Sequence, residues 1–89
     1  MEFDAVDWDH EDDGRGNTRH IAANGVSQDE FEEALDSVQK NDVVSSHTSG
    51  RPTVVGETRD GRRLRIVFEI EVLDDFTVIR PITAYDDSE

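Results

Sequence analysis

Between Ser27 and Glu71 the spacing of apolar residues changes once, from a helical repeat to a strand repeat, and this switch restricts the fold more than any other feature of the chain. Ser27-Gln-Asp-Glu30 has the form of a capping box, in which each terminal side chain accepts from the other residue's backbone N–H. Phe31, Ala34, Leu35 and Val38 follow at i, i+3, i+4 and i+7, one apolar stripe along a helix. Lys40 suits the negative end of the helix dipole, and Asn41-Asp42 are expected to end the helix. Period two then takes over. The pattern predicts a strand over Asp42 to His47, a turn at Thr48-Ser49-Gly50, a strand from Arg51 to Thr58 and a tight Asp-Gly hairpin turn at Arg59-Asp60-Gly61. A third strand runs from Arg62 to Glu71, with Leu64, Ile66, Phe68 and Ile70 on one face and Arg63, Arg65, Val67, Glu69 and Glu71 on the other. Leu73-Asp74-Asp75 turns the chain into a fourth strand, Phe76 to Tyr85, in which Arg80 shares a face with Phe76, Val78 and Ile82; Asp86 to Glu89 are expected to fray.

The residues before Ser27 carry weaker signals. Phe3 to Trp8 contains strand formers with poor alternation and reads as a short edge strand, followed by an acidic, glycine-containing loop. Asn17 reads as the N-cap of a two-turn helix to about Ala23, and Asn24-Gly25 as its stop. The order gives an α+β fold in a single domain over residues 1–89: two N-terminal helices packed on one face of a mainly antiparallel, four- to five-stranded sheet. No internal repeat, linker or low-complexity run interrupts it.

A chain of 89 residues buries only roughly 60–65% of its unfolded surface. With 34% hydrophobic against 35% charged residues, it fills one modest core, and only because its apolar residues sit in periodic segments. The absence of cysteine excludes disulfides and thiolate metal sites. The acidic N-terminus has neither a basic n-region nor an apolar run, and no segment approaches the roughly 20 apolar residues of a membrane span, so a cytoplasmic protein without membrane contact is the expectation. The net charge of −13 repels phosphate polyanions at long range. Residues 51–65 oppose that field locally, with Arg51, Arg59, Arg62, Arg63 and Arg65 against Glu57 and Asp60.

Several clusters invite a chemical reading. Asp9 to Gly14 resembles the start of a calcium loop, but His20 stands where the bidentate glutamate belongs, so a solvated acidic loop is favoured. His10, His20 and His47 lack zinc-ligand spacing, and neither a metal nor another cofactor is expected. His20 suits either acid–base work or simple packing. Arg63 and Arg65 either cross-pair with Glu57, Glu69 or Glu71, or converge with other arginines on a phosphodiester. Arg80, on an otherwise apolar face, requires a partner or a cleft.

Trp8-Asp9, Asn17-x-x-His20-Ile-x-x-Asn24-Gly25-Val26-Ser27, Glu30-x-x-Glu33-Ala34, Arg51, VVGETRDGRRLRIVFE and VIRPITAYD together resemble, in order and over nearly the whole chain, the BrnT-like family of small bacterial ribonuclease toxins of type II toxin–antitoxin pairs. The resemblance implies a RelE/ParE-like fold, a cognate antitoxin partner and metal-free RNA cleavage. In that chemistry a base activates the ribose 2′-hydroxyl, cations stabilise the phosphorane-like transition state, and an acid protonates the leaving oxygen. It assigns catalytic positions to His20, Arg51, Arg62 and Arg80 and binding positions to Arg63, Arg65, Asn24 and Tyr85. The toxins usually read Lys-His-Gly where this chain has Ala23-Asn24-Gly25, and they carry cations where it has Tyr85-Asp86. They are also generally basic. The contrast keeps a second class open, a noncatalytic module of the same fold whose acidic surface engages a basic protein, while salt adaptation alone also produces acidic surfaces.

Overall fold

The computed structural model describes residues 3–38, 44–45 and 52–87. Strands β1 (Ala5–Val6), β2 (Val44–Ser45), β3 (Pro52–Glu57), β4 (Arg63–Leu73) and β5 (Phe76–Asp86) form one sheet in the order β1-β5-β4-β3-β2, and helices α1 (Asn17–Ala23) and α2 (Gln28–Ser37) precede all but the first strand. The β2–β3, β3–β4 and β4–β5 pairs are antiparallel, and β1 joins β5 in parallel. The α+β arrangement expected from the apolar spacing is therefore the one adopted. Arg51, the turn at residues 48–50 and the helix end at Asn41-Asp42 lie outside the described residues.

Helix α2 follows its local code. Ser27 Oγ accepts from the Glu30 N–H and the Glu30 carboxylate accepts from the Ser27 N–H, each at 3.1 Å, completing the capping box. Phe31, Ala34, Leu35 and Val38 are all buried. They meet Val54, Leu64, Ile66 and Phe68 of the sheet, with Ile21, Val26, Ile79 and Ala84 completing the core. The helix stops sooner than its apolar stripe suggests, because Val38 already has an extended ψ of 129°. At this end Ser37 Oγ donates to the Ala34 carbonyl at 2.7 Å and accepts from the Glu57 N–H at 2.8 Å, tying the last turn to β3.

The start of α1 differs from the expected one, whereas its stop at Asn24-Gly25 and the turn at Arg59-Asp60-Gly61 lie where they are expected. Asn17 is the first residue of α1 rather than its cap; Gly16 holds the cap position, and the buried Asn17 side chain accepts from the Asp9 N–H and donates to the Asp7 and Pro81 carbonyls. At the other end Gly25, with φ 82°, takes the left-handed position, while Asn24 keeps φ −86°. Val26 N–H reaches Ile21 O and Gly25 N–H reaches Ala22 O, the paired bonds of a Schellman motif, and Val26 packs in the core with Ile21. The β3–β4 turn is a three-residue loop: Gly61 N–H closes on Thr58 O, Gly61 has φ 83°, and Thr58 N–H pairs with Arg62 O. At the C-terminus Asp86 still pairs with Leu64, and Asp87 N–H donates to Arg63 O, so the fraying expected from Asp86 onward does not begin there.

Strand β5 departs from simple alternation. Its buried residues are Ile79, Pro81 and Ala84. Val67 opposes Thr83 while Phe68 opposes Pro81, so Ile82 is an extra residue forming a bulge. Phe76, Val78 and Arg80 share a face, as expected, and it is the one opposite the buried Ile79 and Pro81; Phe76 is exposed.

Gly56 shows how closely β3 approaches α2. A Cβ there would lie 2.7 Å from the Ala34 carbonyl carbon, nearer still to its oxygen, and 2.9 Å from Ser37 Oγ. Backbone cannot yield as a flexible side chain can, so Gly56→Ala is expected to destabilise the fold by about 3 kcal/mol. A lowered urea midpoint with an unchanged m-value checks this.

Candidate functional site

Strand β1 ends at Val6, and from Arg80 onward the edge of β5 faces α1 instead of another strand. The Asn17 amide donates to Pro81 O at 3.0 Å and the Asn24 amide to Ala84 O at 3.0 Å, so two side chains of α1 satisfy two carbonyls of that edge. A cleft of about 650 Å³ opens beside this contact, lined by Asp9, Arg15, Arg19, His20, Arg80 and Ile82 among others.

His20 and Asn24 lie one turn apart on the same side of α1, as their spacing predicts. Both reach Thr83: His20 Nε2 is 3.0 Å from Thr83 Oγ1, and the Asn24 amide donates to the same oxygen at 3.3 Å. His20 Nδ1 makes no hydrogen bond among the described residues. Asn24 has no titratable group and acts in the α1–β5 contact.

Arg80 is held as a fork. Its Nη1 and Nη2 donate to the two oxygens of Asp9, each at 2.9 Å, with a longer contact to Asp7. Asp9 also accepts from the Asn17 N–H at 2.8 Å and so caps α1 from eight residues away. The Arg80 hydrogen bond first, and the Asn17 N–H second, hold the Asp9 carboxyl below its ordinary pKa, while Asp9 raises that of Arg80. Since Asp9 serves α1 and Arg80, it is a structural carboxylate rather than the first ligand of a calcium loop. Among the described residues no group of three His, Asp or Glu side chains could hold a metal ion.

The other arginines lie elsewhere. Arg62 Nε donates to Asp86 and its Nη1 to Glu30, each at 2.8 Å, and Nη1 also reaches Gly25 O at 2.9 Å. It thereby fastens the α1–α2 corner to the end of β5. The Ser27 N–H, and then Arg62, hold the Glu30 carboxyl below its ordinary value. Arg65 lies directly opposite Tyr85 and donates to Asp87 at 3.2 Å, while Arg63 lies opposite Glu57. By alternation from the buried Leu64 and Ile66, Arg63, Arg65 and Tyr85 belong to the sheet face away from the helices. The cleft thus unites His20, Arg80 and, by hydrogen bonding, Asn24. It does not include Arg62, Arg63, Arg65 or Tyr85.

Two cations that the sequence pattern left unremarked are in the cleft. Arg15 and Arg19 are exposed there, and among the described residues neither guanidinium forms an ion pair. Their i, i+4 spacing beside His20 was the available signal. The resulting group of three guanidiniums and an imidazole can bind a phosphate-sized anion, with Asp9 directing one of them. No helix among the described residues is long and apolar enough to cross a membrane. Comparisons with protein-family models, with curated proteins and with solved structures find no match to this chain.

Because Asp9 and Glu30 have folded-state pKa values below their unfolded ones, their contribution to stability is complete above the ordinary carboxylate range near pH ~4 and is lost as pH falls through the folded values. Urea midpoints are therefore expected to drop between pH 6 and pH 3. The double variant Asp9→Asn, Glu30→Gln should start lower at pH 6 and show a shallower acid dependence; an unchanged slope would place the responsible groups elsewhere.

Proposed function

We propose that this chain is a BrnT-like protein of the RelE/ParE-like toxin superfamily, and that the α1–β5 cleft cleaves RNA without a metal. The observation that carries the reading is the convergence of Arg15, Arg19, His20 and Arg80 on one cleft in a chain of net charge −13. Two helices packed on a mainly antiparallel sheet support the superfamily assignment. His20 Nδ1 takes the proton from a ribose 2′-hydroxyl, whose oxygen attacks the adjacent phosphorus. The bond from phosphorus to the 5′-oxygen breaks, that oxygen takes a proton from solvent water as it leaves, and a 2′,3′-cyclic phosphate remains. Arg15 and Arg19 stabilise the extra negative charge of the phosphorane-like transition state, and Arg80, fixed by Asp9, orients the phosphate. A cognate antitoxin would cover this cationic cleft in the cytoplasm.

A second reading, a noncatalytic interaction module of the same fold, draws on the carboxylates that engage Arg62 and Arg80 and on Asp86, which occupies a position where the toxins carry a cation. The two readings differ in one assay. Purified protein with EDTA should cleave single-stranded RNA to cyclic-phosphate ends, His20→Ala should lower the rate by about 10²-fold or more, and Arg19→Ala should weaken RNA binding. An absence of cleavage at any protein concentration, with folding verified by circular dichroism, assigns the chain to the second class.

A further inference from the structure

Strands β4 and β5 have 11 residues each, whereas α2 has 10 and α1 has 7. At their respective rises the strands extend about 35 Å and the longer helix only about 15 Å, so the helices cannot cover the whole hairpin. The uncovered end is the tip, where both sides of the ribbon are apolar. Ile70 and Val72, 42% and 63% exposed, continue the row of Leu64, Ile66 and Phe68 beyond the core. On the other side Leu73 lies directly opposite Phe76, and these are 54% and 49% exposed. Among the described residues, four of the five exposed large hydrophobic side chains are thus gathered within one hairpin end, the fifth being Tyr85. Isolated exposed apolar residues need no explanation, but a contiguous group marks an interaction surface.

The charge around this group identifies the kind of partner. Residues 69–79 contain Glu69, Glu71, Asp74 and Asp75 and no lysine or arginine. Asp74 and Asp75 form the turn itself, and Glu71 alternates with Ile70 and Val72. A second copy would bring the same four carboxylates and another net charge of −13 to the contact. We propose that the β4–β5 tip docks a basic amphipathic segment of another protein, its apolar stripe against Leu73 and Phe76 and its lysines or arginines against Glu71, Asp74 and Asp75. This surface is distinct from the cleft and does not depend on RNA cleavage.

A peptide of leucine and lysine patterned as an amphipathic helix, compared with a scrambled isomer of the same composition, separates this docking from simple charge attraction. At about 0.15 M salt, where exposed charges are screened beyond ~8 Å, the patterned peptide should bind on the order of tenfold more tightly than the scrambled one. Leu73→Thr with Phe76→Thr, both at exposed strand positions on one side of the ribbon, should erase that advantage without changing the urea midpoint appreciably; Tyr85→Thr should preserve it. Equal binding of the two peptides, or a preference indifferent to the tip substitutions, overturns the proposal. A dimer detected by sedimentation and dissolved by the same substitutions overturns it in favour of a second copy.

Discussion

Strand β5 has an edge that must be covered, and the way α1 covers it determines much of what surrounds it. The carbonyls of Pro81 and Ala84 point from this edge and accept from the Asn17 and Asn24 amides. Seven residues of helix span about 10.5 Å, and three residues of extended chain span about 10 Å. The two amides therefore match two carbonyls three residues apart, a spacing that ordinary strand alternation does not provide. The extra residue at Ile82 provides it. A seven-residue helix is too short to persist alone, so α1 exists because it is docked in this way, anchored also by Ile21 and Val26 in the core. The same docking brings His20 to Thr83 and sets the cleft beside Arg80.

Charge within the molecule is arranged by carboxylates that each serve two ends. Asp9 caps α1 through the Asn17 N–H and fixes Arg80 in a fork, while Glu30 caps α2 through the Ser27 N–H and holds Arg62. Each pair is partly exposed, so its contribution to stability is modest, but its geometric effect is to fix where an arginine points. Arg62 is consumed in joining the helix corner to β5. Arg80 retains a place in the cleft, where Arg15 and Arg19, without an ion pair among the described residues, supply the less compensated charge. An acidic protein can therefore present a local anion-binding surface even though its overall field opposes long-range attraction of RNA.

Features encoded by near neighbours were legible in the sequence, and those encoded across the fold were not. The capping box and the Phe31–Val38 stripe define α2 within a dozen residues, and Leu64, Ile66 and Phe68 declare the core face of β4 by alternation. The same rule holds in β5 as far as Pro81 and fails beyond it, because a bulge reverses alternation and leaves no composition signal at Ile82. Asn17 has the chemistry of an N-cap, and only the positions of Asp7, Asp9 and Pro81 reveal that its side chain is already committed. Arg62 and Arg80 were recognisable as candidates, but their carboxylate partners lie 24 to 73 residues away in sequence. Arg15 and Arg19 were passed over because a glycine-containing acidic loop conceals that it leads directly into the cleft.

The shortness of β1 has the same physical origin as the cleft. After Val6 the Asp7 N–H still reaches Ile79 O, but Trp8 turns toward α2, packing edge-on against Phe31 at 5.3 Å and donating to Glu32 at 2.8 Å. Asp9 then meets the first turn of α1. Were β1 to continue alongside β5, its backbone would occupy the edge that Asn17 and Asn24 now satisfy, and α1 would lose its seat. The Trp8 anchor thus divides β5 into a segment paired with β1, ending at Ile79, and a segment beginning at Arg80 whose edge belongs to α1. Chain direction at three residues, Asp7 to Asp9, converts an ordinary parallel strand pairing into space for a helix and a cleft.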